Sequence, residues 1–236
     1  MTKFNRLRAA RLTGTDARSP NFLAWEKALP VRVVPHRRGG VLPEGQYRFH
    51  HHDESERRNW QNPEEILEGI GLSSGDTFVD VGCGDGFFAI PAARIVGESG
   101  MVFGIDVDEV GLEELRQKTE AEGLGNIELR AGEAETTLAC TACADFVFFG
   151  IDLHDFRDQG MVLANARKMI KASGTLVDLD WKDEPMDIGP PPAIRFSIEK
   201  ASGLITAAGF FVRSVSEPGP MHYMITARPV VVTQEC

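Results

Sequence analysis

The residues best suited to chemistry lie in the run Thr77-Phe78-Val79-Asp80-Val81-Gly82-Cys83-Gly84-Asp85-Gly86-Phe87-Phe88-Ala89. An apolar, β-rich stretch leads into three alternating glycines and then into a helical pattern. Glycines at this spacing permit a tight turn and let a ligand approach the backbone. A helix start there adds free N–H groups and the positive end of a dipole. Asp106 closes the next apolar run, 101–106, and a carboxylate at that place can take both hydroxyls of a ribose. Two ligand classes share this geometry. The dinucleotide spacing G-x-G-x-x-G/A fails from Gly82, where the sixth position is Phe87, but passes from Gly84, where it is Ala89, so a nicotinamide cofactor stays open. The pattern D/E-x-G-x-G-x-G is met at every position by Asp80 through Gly86. A carboxylate just before the loop would repel a pyrophosphate and attract an ammonium. That favours a ligand carrying an amino acid and a nucleoside but no phosphate.

Other chemistry-bearing residues are weaker. His154 follows a buried strand run, where α/β sheets bind ligands, and is a candidate general base; Asp155 beside it suits a helix cap or a base. Asp178 and Asp180 close a later strand run, and Trp181 could wall a pocket. His50-His51-His52-Asp53 invites a metal, but neighbours on a strand point to opposite faces, so no metal is expected. Cys140-x-x-Cys143 lacks the second pair that zinc needs and precedes a strand rather than a helix, so neither zinc nor redox use is expected of it.

The elements that must hold these residues alternate. Strand runs are predicted at 77–82, 101–106, 126–130, 145–150, 174–181, 210–216 and 222–228, with helices at about 86–96, 109–122, 157–171 and 195–208. An earlier helix starts at Asn62-Pro63-Glu64-Glu65, a capping residue followed by proline and two acids, and stops at Gly71. Asp108 and Gly123 bracket the helix over 109–122. Helix-length spacers argue for a parallel sheet covered on both faces. The five residues 217–221 are too short for a parallel crossover, so the last two strands should be antiparallel. The fold class expected is α/β: a Rossmann-like, doubly wound, seven-stranded, mostly parallel sheet with a C-terminal antiparallel hairpin.

The stretch from about 60 to 228 resembles a class I S-adenosylmethionine-dependent methyltransferase, and is most similar to the small-molecule branch around the ubiquinone/menaquinone C-methyltransferases. The motif Asp80–Gly86 in its strand–helix setting carries the resemblance. The resemblance implies S-adenosylmethionine as cofactor. It implies that Asp80, Gly82, Cys83, Gly84 and Gly86 hold the methionine portion and that Asp106 binds the ribose, with Val107 beside the adenine. Glu133 and Ala134 would meet the adenine edge, and Gly150 with the residues through Asp155 would close the site toward the acceptor. The resemblance also implies a small-molecule methyl acceptor and in-line displacement.

Composition bounds the alternatives. The chain has 236 residues, a formal net charge of −10 and 42% hydrophobic residues, an ordinary globular balance that disfavours broad nucleic-acid binding. Residues 1–40 carry a net of +7, leaving −17 on the remainder. A basic arm or cap over 1–60 is thus expected before the methyltransferase domain over 61–236, lying against the acidic body or a sister subunit. A homodimer is compatible with this. The four cysteines are too few and scattered for a secreted disulfide scaffold, no apolar run suggests a membrane span, and the first 30 residues lack a signal-like core, so a cytoplasmic location is expected. The competing readings are an RNA or protein methyltransferase steered by the arm, a non-catalytic nucleoside-binding regulator, and a nicotinamide-dependent oxidoreductase.

Overall fold

The computed structural model describes residues 54–231. Tertiary contacts divide the chain into units over Met1–Arg38 and Gly39–Cys236, and every described residue lies in the second. Residues 1–53 of the expected arm, including the His50–Asp53 run, and Cys236 fall outside the described residues, whereas residues 54–60 are described.

Seven strands are β1 (Thr77–Val81), β2 (Met101–Asp106), β3 (Ile127–Ala131), β4 (Ala144–Gly150), β5 (Ile170–Trp181), β6 (Phe210–Ser216) and β7 (His222–Pro229). Among the described residues, the α-helices are α1 (Glu54–Arg58), α2 (Pro63–Gly69), α3 (Ala89–Val96), α4 (Glu109–Glu122), α5 (Gln159–Met169) and α6 (Ile198–Ala207). The strand order is β3-β2-β1-β4-β5-β7-β6. Pairs from β3 to β5 are parallel, and β7 runs antiparallel to both β5 and β6. The expected fold class is the one observed. The chain winds outward from β1 to β3, then restarts at β4 and winds the other way. The carboxyl ends of β1 and β4 therefore diverge into a crevice, the place where open α/β sheets hold ligands.

Each face of the sheet is covered. Val79, Val147, Phe149, Leu163 and Ile205 belong to one buried apolar cluster, and Phe78, Phe148, Leu67, Ala92 and Trp181 to the other. Alternate residues of β1 and β4 thus serve opposite faces, as the period of two requires. Helix ends follow their local chemistry. The Asn62 side chain accepts the Glu65 N–H, Asp108 accepts the Val110 N–H, and Gly123 closes α4 at φ 69°.

Three boundaries differ from the sequence reading. α3 begins at Ala89 rather than near Gly86, because Gly86 stands at φ 97° and cannot be part of a right-handed helix. α5 ends at Met169, and β5 starts at once with Ile170, its first residues out of register with β4 between Ala144 and Phe146. α1, in a segment without sequence periodicity, is a single turn of helix. Cys140 and Cys143 also depart from expectation: they form a disulfide in the turn before β4. Ala142, at φ 48°, makes that turn tight enough to bring their Cα atoms to 6.0 Å. The Ala142 and Cys143 N–H groups bond the Lys168 and Met169 carbonyls.

Candidate active site

The glycine loop is fixed by backbone bonds. The Gly82 and Cys83 N–H groups both donate to the Ile105 carbonyl, at 2.8 and 3.1 Å, and Gly86 donates to Cys83. Gly82 and Gly84 stand at φ 79° and 50°. A Cβ on Gly82 would overlap the Asp152 carboxylate, whereas one on Gly84 would meet nothing within 4 Å. Gly82 is therefore a close approach between two strand ends, and Gly84 faces open space. The Cys83 thiol packs against Gly104, and burial holds its pKa well above the ordinary value. Cys83 shapes the turn with its N–H, carbonyl and thiol all engaged.

Asp106 ends β2 beside this loop. Its Oδ2 accepts the Gly84 N–H at 2.7 Å and its Oδ1 accepts the Asp108 N–H at 2.8 Å. Each oxygen keeps a lone pair, in a half-buried position, so the group can still accept two hydroxyls. The Gly132 N–H donates to the Asp106 carbonyl, tying the end of β3 to the same place. The next residues are pinned by Asn165, whose Nδ2 donates to the Ala134 and Glu135 carbonyls. Ala134 is buried and Glu133 exposed. Val107 is 63% exposed, an apolar side chain left at the rim of the crevice.

At Asp80 of β1 and at the ends of β4 and β5 the character changes. Asp80 is buried, with the Ala89 backbone N–H on its carboxylate and Oδ2 unbonded among the described residues. Burial pushes its pKa up to about 7, Asp106 adds to the rise, and Arg57 opposes it. Both oxygens of Asp152 are buried without a hydrogen-bond partner among the described residues. Burial, followed by the charges of Asp80, Asp180, Asp106 and Asp155, holds Asp152 well above the usual carboxylate range. Asp178 on β5 is in the same condition through burial and Asp180. Buried carboxylate oxygens are costly to leave unbonded, so their concentration at one end of a sheet marks a place for a cation or for donors.

His154 sits in a short 3₁₀ turn, Leu153–Asp155, after β4. Its Nδ1 is 2.7 Å from Asp180 Oδ1, and its Nε2 is 3.3 Å from Asp155 Oδ1. Burial disfavours the charged ring, but the hydrogen bond and charge of Asp180, with Asp155, carry its pKa above the ordinary value. Burial raises Asp155 to about 6, against the pull of His154. The Asp180 carboxylate also accepts the Trp181 N–H, which fixes its orientation. Trp181, Trp60 and His222 form an aromatic cluster with centroid distances of 4.4–5.5 Å. The loop after β5 is held by Arg195, whose guanidinium donates to the carbonyls of Pro190, Lys182, Glu184 and Ile188.

The candidate cofactor residues, with His154, Asp155, Asp178 and Asp180, thus lie toward the carboxyl ends of β1, β2, β3, β4 and β5, whereas Cys140 and Cys143 precede β4 at its opposite end. Gly150 lies at the end of β4, where a Cβ would crowd Phe88 and Phe148. Sequence reasoning missed Arg57, Trp60 and Arg195. The first two stand in a segment without periodicity, and Arg195 bonds only main-chain atoms, which leave no side-chain pattern. Among the described residues, no group of three or more His, Cys, Asp or Glu is placed to hold a metal ion, and no helix is long and apolar enough to cross a membrane.

A family described as a methyltransferase domain matches residues 72–187. A solved S-adenosylmethionine-dependent methyltransferase from Aquifex aeolicus is 30% identical with a TM-score of 0.70, covering 76% of this chain and 100% of that one. The chain belongs to the class I S-adenosylmethionine-dependent methyltransferases. The demethylmenaquinone methyltransferase of Geobacillus kaustophilus is 32% identical to this methyltransferase over 124 residues, 52% of this chain and 53% of the relative. The chain spans about half the length of the curated relatives it matches. The geranyl diphosphate C-methyltransferase of Streptomyces coelicolor, 14% identical with a TM-score of 0.62 over 75% of this chain and 81% of that one, shares the fold. Family membership replaces the nicotinamide reading that the Gly84-x-Gly86-x-x-Ala89 register left open. In this methyltransferase Ala89 is the first residue of α3.

Proposed function

We propose that the chain transfers a methyl group from S-adenosylmethionine to a small-molecule acceptor. The observation that carries this reading is the set of buried, unbonded oxygens of Asp80 and Asp152 beside the glycine loop. They suit a cation and would repel the phosphates of a dinucleotide. When bound, the cofactor supplies a methyl group activated by a sulfonium. Asp106 would hold the ribose hydroxyls, Val107 and Ala134 the adenine faces, and Glu133 the adenine amino group. Gly82, Gly84 and Gly86 would let the methionine portion lie against the backbone, and Gly150 would border it on the β4 side.

His154 is the proton acceptor in this proposal. Asp180 positions its ring through Nδ1, which leaves Nε2 to take a proton from the acceptor atom. Asp155, 3.3 Å from Nε2, can pass that proton outward. The Trp60, Trp181 and His222 cluster and the loop clasped by Arg195 would wall an apolar acceptor, and positioning it can supply roughly 7–11 kcal/mol of the barrier. Likeness to a demethylmenaquinone methyltransferase supports a small organic acceptor over a macromolecular one.

Calorimetry tests the cofactor reading. S-adenosylhomocysteine should bind and NAD should not, and Asp106→Ala should weaken S-adenosylhomocysteine at least tenfold. Binding of NAD alone, or unchanged affinity in both Asp80→Ala and Asp106→Ala, sinks it.

A further inference from the structure

A methionine portion carries an α-carboxylate as well as an ammonium. Asp80 and Asp152 suit the ammonium but would repel the carboxylate, so the subsite needs a cation of its own. Arg57 on α1 meets that need. Its guanidinium carbon lies 3.8 Å from the Phe87 ring centre and 5.4 Å from that of Phe88, directly beyond Gly86. Its Nε donates to Gln61 Oε1 at 2.7 Å, which fixes the plane of the group, and neither Nη donates to a described residue. A guanidinium held in this way presents two parallel N–H groups, the geometry that matches a carboxylate. Its charge is felt at Asp80 and at Asp152, on either side of the crevice. Asp85, which also feels it, is already engaged by Lys118 Nζ at 2.8 Å. Arg57 is therefore not committed to pairing with Asp85.

Resting on the cofactor reading above, we propose that Arg57 is the anion-binding half of the methionine subsite: its Nη groups receive the cofactor's α-carboxylate opposite the carboxylates of Asp80 and Asp152. α1 then belongs to the cofactor site, although it precedes the family match that starts at residue 72. The rival role is a structural counter-ion for Asp80.

A pair of ligands that differ only in the carboxylate separates the two roles. The full chain is titrated calorimetrically with S-adenosylmethionine and with decarboxylated S-adenosylmethionine, as wild type, Arg57→Gln and Arg57→Lys. Arg57→Gln should weaken S-adenosylmethionine by about 10–100-fold, the range of a hydrogen bond to a charged group. It should leave the decarboxylated ligand within about twofold, which also shows that the variant is folded, and Arg57→Lys should recover part of the loss. Equal weakening of both ligands, or no change in either, overturns the assignment. If the wild type binds neither ligand, the cofactor reading fails first and this one with it.

Discussion

The two halves of the crevice are built on different principles. In the glycine loop and on the β2–β3 side, the candidate groups are backbone, glycine and one carboxylate whose two oxygens each accept a main-chain N–H. At Asp80 of β1 and on the β4–β5–β7 side they are buried side chains with unbonded polar atoms among the described residues: Asp80, Asp152, His154, Asp178, His222 and Tyr223. The first half is finished before any ligand arrives. The second holds costly groups in reserve, as a site does when its partner must be chosen among chemistries.

The largest effect that would sharpen this contrast is expected at Gly82, where the halves touch. Gly82→Ala adds a Cβ at positive φ and into the Asp152 carboxylate. A loss of roughly 3–5 kcal/mol of stability, read by urea unfolding, follows from left-handed strain plus overpacking. A loss below about 1 kcal/mol would mean that the two halves are not in rigid contact. Next comes Arg195→Ala, confined to the second half. Removing a charged donor from four carbonyls should cost about 2–3 kcal/mol and open the 182–190 loop to proteolysis, with S-adenosylhomocysteine affinity kept. A collapse of cofactor affinity in this variant would erase the proposed division of labour. The smallest effect concerns His154. Its folded pKa is raised, so the stabilisation it adds is fully present below its unfolded pKa, about 6.5, and fades as pH rises through the higher folded value. The stability difference between wild type and His154→Gln should therefore shrink as pH rises from about 6. A difference flat across that range would show that the Asp180 contact contributes no charge effect.

The same contrast explains what the sequence disclosed. Left-handed backbone is written directly in residue type, so Gly82, Gly84 and Gly86 reveal the turn, and Asp106 follows at a spacing set by one helix and one strand. The strands and the closing hairpin were legible because apolar runs and connection lengths are local quantities. The pairing of His154 with Asp180 was not, since it depends on Gly150 lying opposite Leu179 in the sheet. Nor was the position of Tyr223 opposite Asp180, which requires β7 to insert between β5 and β6. Arg57 left no trace because a five-residue helix has no period to detect.

The buried carboxylates alter how the charge of −10 should be counted. That figure assigns a full negative charge to Asp80, Asp152 and Asp178, yet burial holds all three carboxyls toward their neutral form, Asp80 at about 7. The cation of the proposed cofactor, settling beside Asp80 and Asp152, would lower their pKa values and drive protons into solution. In the proposed cofactor site, binding would then be an exchange, a cation taken up and hydrogen ions given back, and it would weaken as the medium becomes more acidic.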